Sequence, residues 1–597
     1  MSLIELDPFD TRIALDAVGL MKVFNAAGVI AAADVHVASR LGVLLDEQDE
    51  AVLLGAALAV RGPRLGHVYV DLATIAQTAA VETEESFDLT ELPWPSAGDW
   101  PGRMAASPLV AVGEAGDDPG CPLRLVDSRL YLDRYWREER TLAADLEAFG
   151  AEVASGADHG VLAEGVQRVF AGQTDDRQAL AAATAVMRRL TVVAGGPGTG
   201  KTTTVSRIVA LLLEQAAAGA GPTPLVALTA PTGKAAARLE EAIHHEAAEL
   251  DVDGPIRASI LELRASTLHR LLGWRPDSQS RFRHNRGNRL PHDVVIVDET
   301  SMVSLSLMSR LVEAVRPDAR LILVGDPGQL TSIEAGAVLG DLVGPAASGL
   351  IMRPEAVTSL EAAVGGSVQA AAPPEGVGIG DGIVVLERVH RFGGGIAKIA
   401  TAIRDGAGDA VIELLAGNAE DVTWLPLDVA EVSDSQLVDL RDPAVGTART
   451  VIDAAAAGDA SEALQALGSF RVLCAHRRGS YGASEWMARI ERWLAAEIPD
   501  FDAGRRWYVG RPLVVTQNDY SLKLYNGDTG VVIAPEPERM SVAFERSGEV
   551  VQFSPSRLDA VDTVYAMTIH KSQGSQFDVA AVVLPSPTSR ILTRELL

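Results

Sequence analysis

The stretch that most restricts what this chain can fold into is GGPGTGKTTT, residues 195–204. Before it lies an aliphatic run, TVVA, and after it a helical one, TVSRIVALLLEQ. The pattern G-x-x-x-x-G-K-[ST] is complete from Gly195 to Thr202, so a glycine-rich turn must join a strand to a helix, with backbone N–H groups facing the phosphates of a nucleotide. Gly195, Gly196, Pro197, Gly198, Thr199, Gly200, Lys201, Thr202 and Thr203 form this loop. Lys201 can neutralise β- and γ-oxygens, and Thr202 can place its hydroxyl on Mg²⁺.

A strand that feeds a phosphate loop needs neighbours. Short aliphatic runs, each followed by a helical stretch, occur at 191–196 (TVVAGG), 225–230 (LVALTA), 293–299 (DVVIVDE) and 320–326 (RLILVGD). This alternation predicts a parallel sheet wrapped by helices, with ligands at the carboxyl ends of its strands. A Gly/Pro/Ala-rich segment, 365–382, reads as a flexible loop, after which strand-like runs resume at 383–389, 470–476 and 579–585 and predict a second α/β domain. Between the last two runs, residues 505–560 contain short strands separated by Asn-Gly, Pro and Ser-Gly turns, the pattern of a small inserted β-barrel. Residues 1–150 mix helical periodicity with acidic and Pro/Gly-rich connectors and contain no catalytic constellation, which reads as an interaction domain.

Two further strand ends carry chemistry. DVVIVDETS delivers Asp298 and Glu299 at the end of a buried strand. Asp298 can hold Mg²⁺ through its water shell, and Glu299 can take a proton from the attacking water or orient it. GDPGQL, residues 325–330, places Gln329 where an amide can contact the γ-phosphate and change partners when it leaves.

Composition narrows the partners. A net charge of −28 excludes a protein that coats nucleic acid by bulk attraction, so a DNA site must be a local basic groove. One candidate is RFRHNRGNR, 281–289, with Arg281, Arg283, Arg286 and Arg289; a solvated hairpin tip is the other reading. Cys121 and Cys474 are isolated and lack the spacing of a zinc or disulfide framework. No run approaches the length of a membrane span and the first residues lack a signal-peptide pattern, so a soluble cytoplasmic protein is expected.

The chain also carries APTGKAAARL (230–239), STLHRLLG (266–273), VDETSM (297–302), GDPGQLTSIEAGAVLGDL (325–342), LERVHRF (386–392) and YAMTIHKSQGSQFD (565–578). In order and approximate spacing these resemble superfamily 1 helicases of the 5′→3′ class. EAGAVLGDL, TIHKSQGSQFD and PLRLVDSRLYLDRYWREER (122–140) resemble the RecD subunit family of exodeoxyribonuclease V, the RecBCD complex. The resemblance covers essentially the whole chain. It implies two RecA-like P-loop NTPase domains at 151–364 and 383–597, a mostly helical partner-docking domain at 1–150, an SH3-like barrel near 505–560, and a pin-like hairpin near 275–292 that helps split the duplex.

It also implies roles. Gln178 matches a glutamine that reads adenine, which favours ATP, and Arg391 matches an arginine that reaches the γ-phosphate from the second domain. Thr232, Lys234, Thr267 and His269 match residues that grip single-stranded DNA; Thr568, His570, Lys571, Ser572 and Gln573 match residues that link that grip to the nucleotide. ATP and Mg²⁺ are the implied cofactors, RecB-like and RecC-like subunits of a heterotrimer and a 5′-ended strand of nucleoid DNA the implied partners. ATP at the seam of two lobes would close them and hydrolysis part them, ratcheting the strand through. The family's last motif, with a second arginine, is expected just after TRELL, so a protein ending at Leu597 is expected to bind ATP and hydrolyse it about 10³-fold more slowly. Two alternatives stay open: a stand-alone RecD-like helicase, whose helix-hairpin-helix repeats are not seen in 1–150, and a regulatory subunit controlling a partner nuclease. No residues suggest a nuclease site in this chain.

Overall fold

The computed structural model describes residues 11–79, 89–115, 120–154, 156–172, 176–219, 221–275, 282–330, 335–347, 349–373, 379–388, 394–417, 419–499, 501–519, 521–536, 539–546, 548–586, 592–594 and 596. The chain divides into two compact units. The first comprises 1–231, 246–264 and 268–391, and the second comprises 232–245, 265–267 and 392–597.

The first unit holds two cores. One is built on residues 14–130, where three helices, Gly19–Ala26, Ala32–Leu45 and Glu50–Arg61, pack Phe24, Leu54 and Leu58 against Trp100, Met104 and Leu123. Asp49 caps the third helix by accepting from the Ala51 and Val52 amides, satisfying donors that have no partner within the helix. Beside the expected helices lies a four-stranded sheet, in spatial order Tyr69–Asp71, Arg129–Leu132, Leu123–Val126, Val110–Val112. Arg124 is buried within it, donating to Asp133 at 2.7 Å and to the Gly113 carbonyl at 2.9 Å, with its guanidinium 4.1 Å from the Trp136 ring. A buried cation is tolerable only with such full engagement.

The second core surrounds a parallel sheet whose neighbouring strands are Ile383–Leu386, Leu190–Gly195, Arg320–Gly325, Val294–Val297 and Val226–Ala230. The central strands are buried on both faces, which is why they read as unbroken aliphatic runs. Two expectations are corrected here. The run at 383–389 does not open a second α/β domain: Ile383–Leu386 pairs in parallel with 192–195 at the edge of the first sheet. An aliphatic run specifies a buried strand and carries no information on which sheet accepts it. The segment 365–382 is likewise not all loop, since Ala371 bridges Ile351 and Ile379–Gly382 forms a 3₁₀ turn. The long helix Asp133–Ala151, whose residues were assigned to the N-terminal domain, contributes Leu142, Leu146 and Phe149 to the core of the parallel sheet, together with Leu305, Met308 and Leu311.

In the second unit a three-stranded parallel sheet has Phe470–Cys474 at its centre, flanked by Ala566–Thr568 and Val579–Val583. Trp486, Ile490 and Trp493 of helix Ala483–Glu497 cover Val472 and Cys474. Between its first and second strands in sequence lies a five-stranded antiparallel sheet, in spatial order Glu549–Phe553, Arg539–Arg546, Thr529–Glu536, Pro512–Val515, Val561–Thr563. An inserted all-β module was expected there. Its pairings run in a line and, among the described residues, do not join the two edges.

Candidate nucleotide site and DNA-contact surfaces

The carboxyl end of the first sheet collects the nucleotide chemistry. Strand Leu190–Gly195 runs into the glycine loop, and helix Lys201–Ala218 leaves it. Gly198 and Gly200 have φ of 74° and 81°, a left-handed backbone that a side chain disfavours. A Cβ on Gly195 would lie 2.7 Å from Thr199 Oγ1 and 3.0 Å from Leu386, so the loop's first turn closes against the neighbouring strand. Lys201 Nζ donates to the carbonyls of Gly195 and Gly196 at 2.7 and 2.9 Å, and Thr199 Oγ1 donates to Gly196 O at 2.8 Å. The Thr203 hydroxyl donates to Glu246 at 3.0 Å. The lysine is thus held over the loop that it must serve.

Strand Val294–Val297 delivers Asp298 and Glu299 two strands away, with Arg320–Gly325 between them and the loop strand. Burial pushes the Asp298 carboxyl above the usual range, opposed by the Glu299 amide, which donates to its Oδ1 at 2.9 Å, and by the charge of Lys201. A buried carboxylate whose charge is undercompensated is a fitting partner for a divalent cation, and the Thr202 hydroxyl at the start of the loop helix supplies an oxygen donor. Glu299 itself sits at φ 51°, ψ 41°. Left-handed backbone at a non-glycine residue costs of order 1 kcal/mol and persists where surrounding packing enforces it. Here the enforcement is visible: a Cβ on Gly325 would stand 3.1 and 3.2 Å from the amide nitrogens of Thr300 and Ser301, so the two strand ends approach closely only because residue 325 is glycine.

The loop GDPGQL follows Gly325. Asp326, buried, accepts from the Gly328 amide at 3.0 Å and its carbonyl accepts from Gln329 N at 3.2 Å, a tight turn that fixes where Gln329 begins. The sequence reading missed Asp326; its position before Pro-Gly was the available signal. Arg391 lies outside the described residues.

Gln178 lies against the phosphate loop. It is 3 % exposed, its Nε2 donates to Thr199 O at 3.0 Å, and its Oε1 accepts from Arg207 at 3.4 Å. These bonds tie the amide to the phosphate loop, so the side chain braces the turn that cradles the phosphates. Periodicity along a helix gives no warning of this.

The residues expected on the DNA face divide between the units. His269 belongs to the first and is exposed, its ring 5.8 Å from that of Phe282. Thr232, Lys234 and Thr267, expected on the first motor domain, group with the second unit beside Thr568, His570, Lys571, Ser572 and Gln573. The cause is Lys234, whose Nζ donates to Gly527 O at 3.0 Å and Ser575 Oγ at 2.9 Å. Burial lowers its pKa to about 8, with the charges of Arg238 and Arg471 adding to the effect and Asp528 opposing it. Tyr525 packs on Gly233, where a Cβ would meet the ring at 2.1 Å. The turn 525–528 is a partner that sequence reading had treated only as strand punctuation.

Thr232 and Thr568 each accept an amide of the helix that follows, from Ala235 at 3.2 Å and Lys571 at 3.3 Å. Their hydroxyl protons remain available for a phosphate oxygen. Ser572 instead turns its hydroxyl back to Ile569 O at 2.8 Å, and burial lowers the pKa of His570, leaving exposed Lys571 as the cation of that motif. In the Arg-rich segment Arg283 is exposed. Arg286 pairs with Asp145, Arg289 donates to the carbonyls of Arg286 and Val315, and Arg281 lies outside the described residues.

Among the described residues no helix is long and apolar enough to cross a membrane. Two family models match: an AAA domain over 178–335 and the RecBCD enzyme subunit RecD N-terminal domain over 26–131, the latter falling within the residues of the first core. A RecBCD enzyme subunit RecD of Mycolicibacterium smegmatis is 48 % identical over 96 % of this chain and 91 % of its own length. One from Mycobacterium tuberculosis is 46 % identical over 98 % and 92 %. An ATP-dependent RecD2 DNA helicase of Deinococcus radiodurans is 30 % identical over 83 % of this chain and 57 % of that protein. A solved Pif1 helicase from Bacteroides, in complex with ADP-AlF3 and ssDNA, is 16 % identical, covering 68 % of this chain and 86 % of that one with a TM-score of 0.33. With near-half identity to relatives along almost their full length, the chain belongs to the family of RecBCD enzyme RecD subunits.

Proposed function

We infer that this chain is an ATP-dependent DNA helicase, the motor subunit that draws a 5′-ended single strand in the 5′→3′ direction within a heterotrimer of RecB-like and RecC-like partners repairing double-strand breaks. The observation that carries the motor reading is the phosphate loop and the Asp298–Glu299 pair at the carboxyl ends of strands in one buried sheet, with the Gln329 strand between them. Lys201 takes the β- and γ-phosphate charge, and Thr202 and Asp298 would hold Mg²⁺, which would offset the negative charge of the phosphate oxygens. Glu299 accepts a proton from water as its oxygen attacks the γ-phosphorus and the β–γ bridge breaks, giving ADP and phosphate.

Gln329 registers phosphate departure, and Arg391 supplies a stabilising charge, an assignment inherited from the resemblance. Thr232, Lys234, Thr267, His269, Thr568 and Lys571 hold the sugar-phosphate backbone without reading bases. The pin-like hairpin near 275–292 helps separate strands, the 1–150 domain docks a partner, and the antiparallel insertion near 505–560 is the SH3-like module.

Polarity is the test. The assembled complex is given duplexes with either a 5′ or a 3′ single-stranded tail, with this chain wild type or Glu299→Gln. Loss of displacement confined to the 5′-tailed duplex supports the reading, and loss confined to the 3′-tailed one reverses it.

A further inference from the structure

Helix Asp133–Ala151 touches three parts of the nucleotide-bearing unit at once. Leu142, Leu146 and Phe149 enter its core beside Leu305, Met308 and Leu311 of helix Leu305–Ala314, which starts six residues after Glu299. Glu138 accepts from Ser306 and pairs with Arg310 at 3.6 Å. About two turns further on, Asp145 receives Arg286 in two parallel bonds, Nη2 to Oδ2 at 2.6 Å and Nη1 to Oδ1 at 3.2 Å.

Arg286 lies at the tip of a hairpin closed by Asn285 and Asn288, whose backbones exchange bonds of 3.0 and 3.1 Å. The hairpin's base is fixed separately, by Leu290 and Phe282 in the core and by Arg289 donating to Val315 O at 2.5 Å. The tip side chain is therefore turned back onto the helix, and its planar fork matches the carboxylate bidentately.

We propose that Asp145 is a positioning residue for strand separation: through Arg286 it fixes the direction in which the 285–288 tip projects, so the helix holds hairpin and acid-bearing strand to one frame. This rests on the reading of the hairpin as the element that separates strands.

The pair is half exposed, so its contribution is modest. In the assembled complex, Asp145→Asn should slow displacement from a 5′-tailed fork about three- to fivefold, the size of a well-formed surface pair. ATP turnover on single-stranded DNA and the melting temperature should stay at wild-type values, which a merely structural role would not allow. Arg286 also stands 4.0 Å from Glu313, so Arg286→Gln removes that weaker pair as well, and combined with Asp145→Asn it should be no slower than Arg286→Gln alone, because the Asp145 contact is already lost.

Wild-type displacement by Asp145→Asn overturns the proposal, as does a double variant whose loss is the product of the single ones. A parallel variant with Asn285–Asn288 replaced by a two-residue turn separates the two ideas. If it abolishes displacement while Asp145→Asn does nothing, only the positioning role fails; if it leaves displacement intact, the strand-separating hairpin falls and the positioning role with it.

Discussion

The two parallel sheets of this chain are made of the same aliphatic strands and differ in what covers them. In the first, Val192, Val295, Ile322 and their neighbours are wholly buried, and helices close both faces. In the second, Phe470–Cys474 is buried beneath Trp486 and Trp493, yet the outer strand shows Val579 at 55 % and Val582 at 48 % exposure. The first sheet bears the phosphate loop, the acid pair and the glutamine loop at the carboxyl ends of its interior strands. The second presents, at the end of strand Ala566–Thr568, a helix start capped by the Thr568 hydroxyl and followed by Lys571. Burial on both faces leaves strands little room for displacement, which suits groups that must be held in fixed positions.

Substitutions that act on one side only should break this contrast or sharpen it. The largest effect belongs to Lys201→Ala, expected to lower ATP hydrolysis about 10³-fold, as loss of a charge on transferring phosphate does. Colorimetric phosphate release checks it. Glu299→Gln is expected to cost about 10²-fold or more in hydrolysis while nucleotide binding, followed by fluorescence of a labelled ATP, persists.

Stability follows the burial difference. Val295→Thr buries an unpaired hydroxyl and should cost about 2 kcal/mol in urea denaturation. Next comes Lys234. Its folded pKa of about 8 lies below that of the unfolded chain, so the burden of burying the ammonium is fully present below pH 8. Above that value the unfolded state binds the extra proton, and stability rises until the unfolded pKa is passed, a gain on the order of 1 kcal/mol by pH 9. Melting curves from pH 7 to 9 should show this rise in wild type and lack it in Lys234→Met. Smallest is Val582→Thr on the open strand, expected within about 0.5 kcal/mol of wild type; a cost equal to that of Val295→Thr would abolish the contrast.

The same difference decides what the sequence revealed. Strands buried on both faces leave uninterrupted aliphatic runs with turn residues at their ends, so 190–195, 226–230, 294–297 and 320–325 were legible to within a residue or two. Strands of three or four residues, such as Tyr69–Asp71 and Val110–Val112, leave no run to see. Partners distant in sequence leave no trace either: Lys234 meets Gly527 across 293 residues, and Arg286 meets Asp145 across 141. Gln178 was legible as part of a motif, while the engagement of its amide with Thr199 and Arg207 is a fact of packing that no motif spells out.

The account stands on the claim that ATP bound at the Gly195–Thr203 loop drives this chain along a strand from its 5′ end. The direct measurement is displacement of a 5′-tailed duplex by the assembled complex carrying Lys201→Gln, with DNA affinity measured alongside. Retained affinity with no displacement is the predicted result. Displacement at the wild-type rate would contradict it.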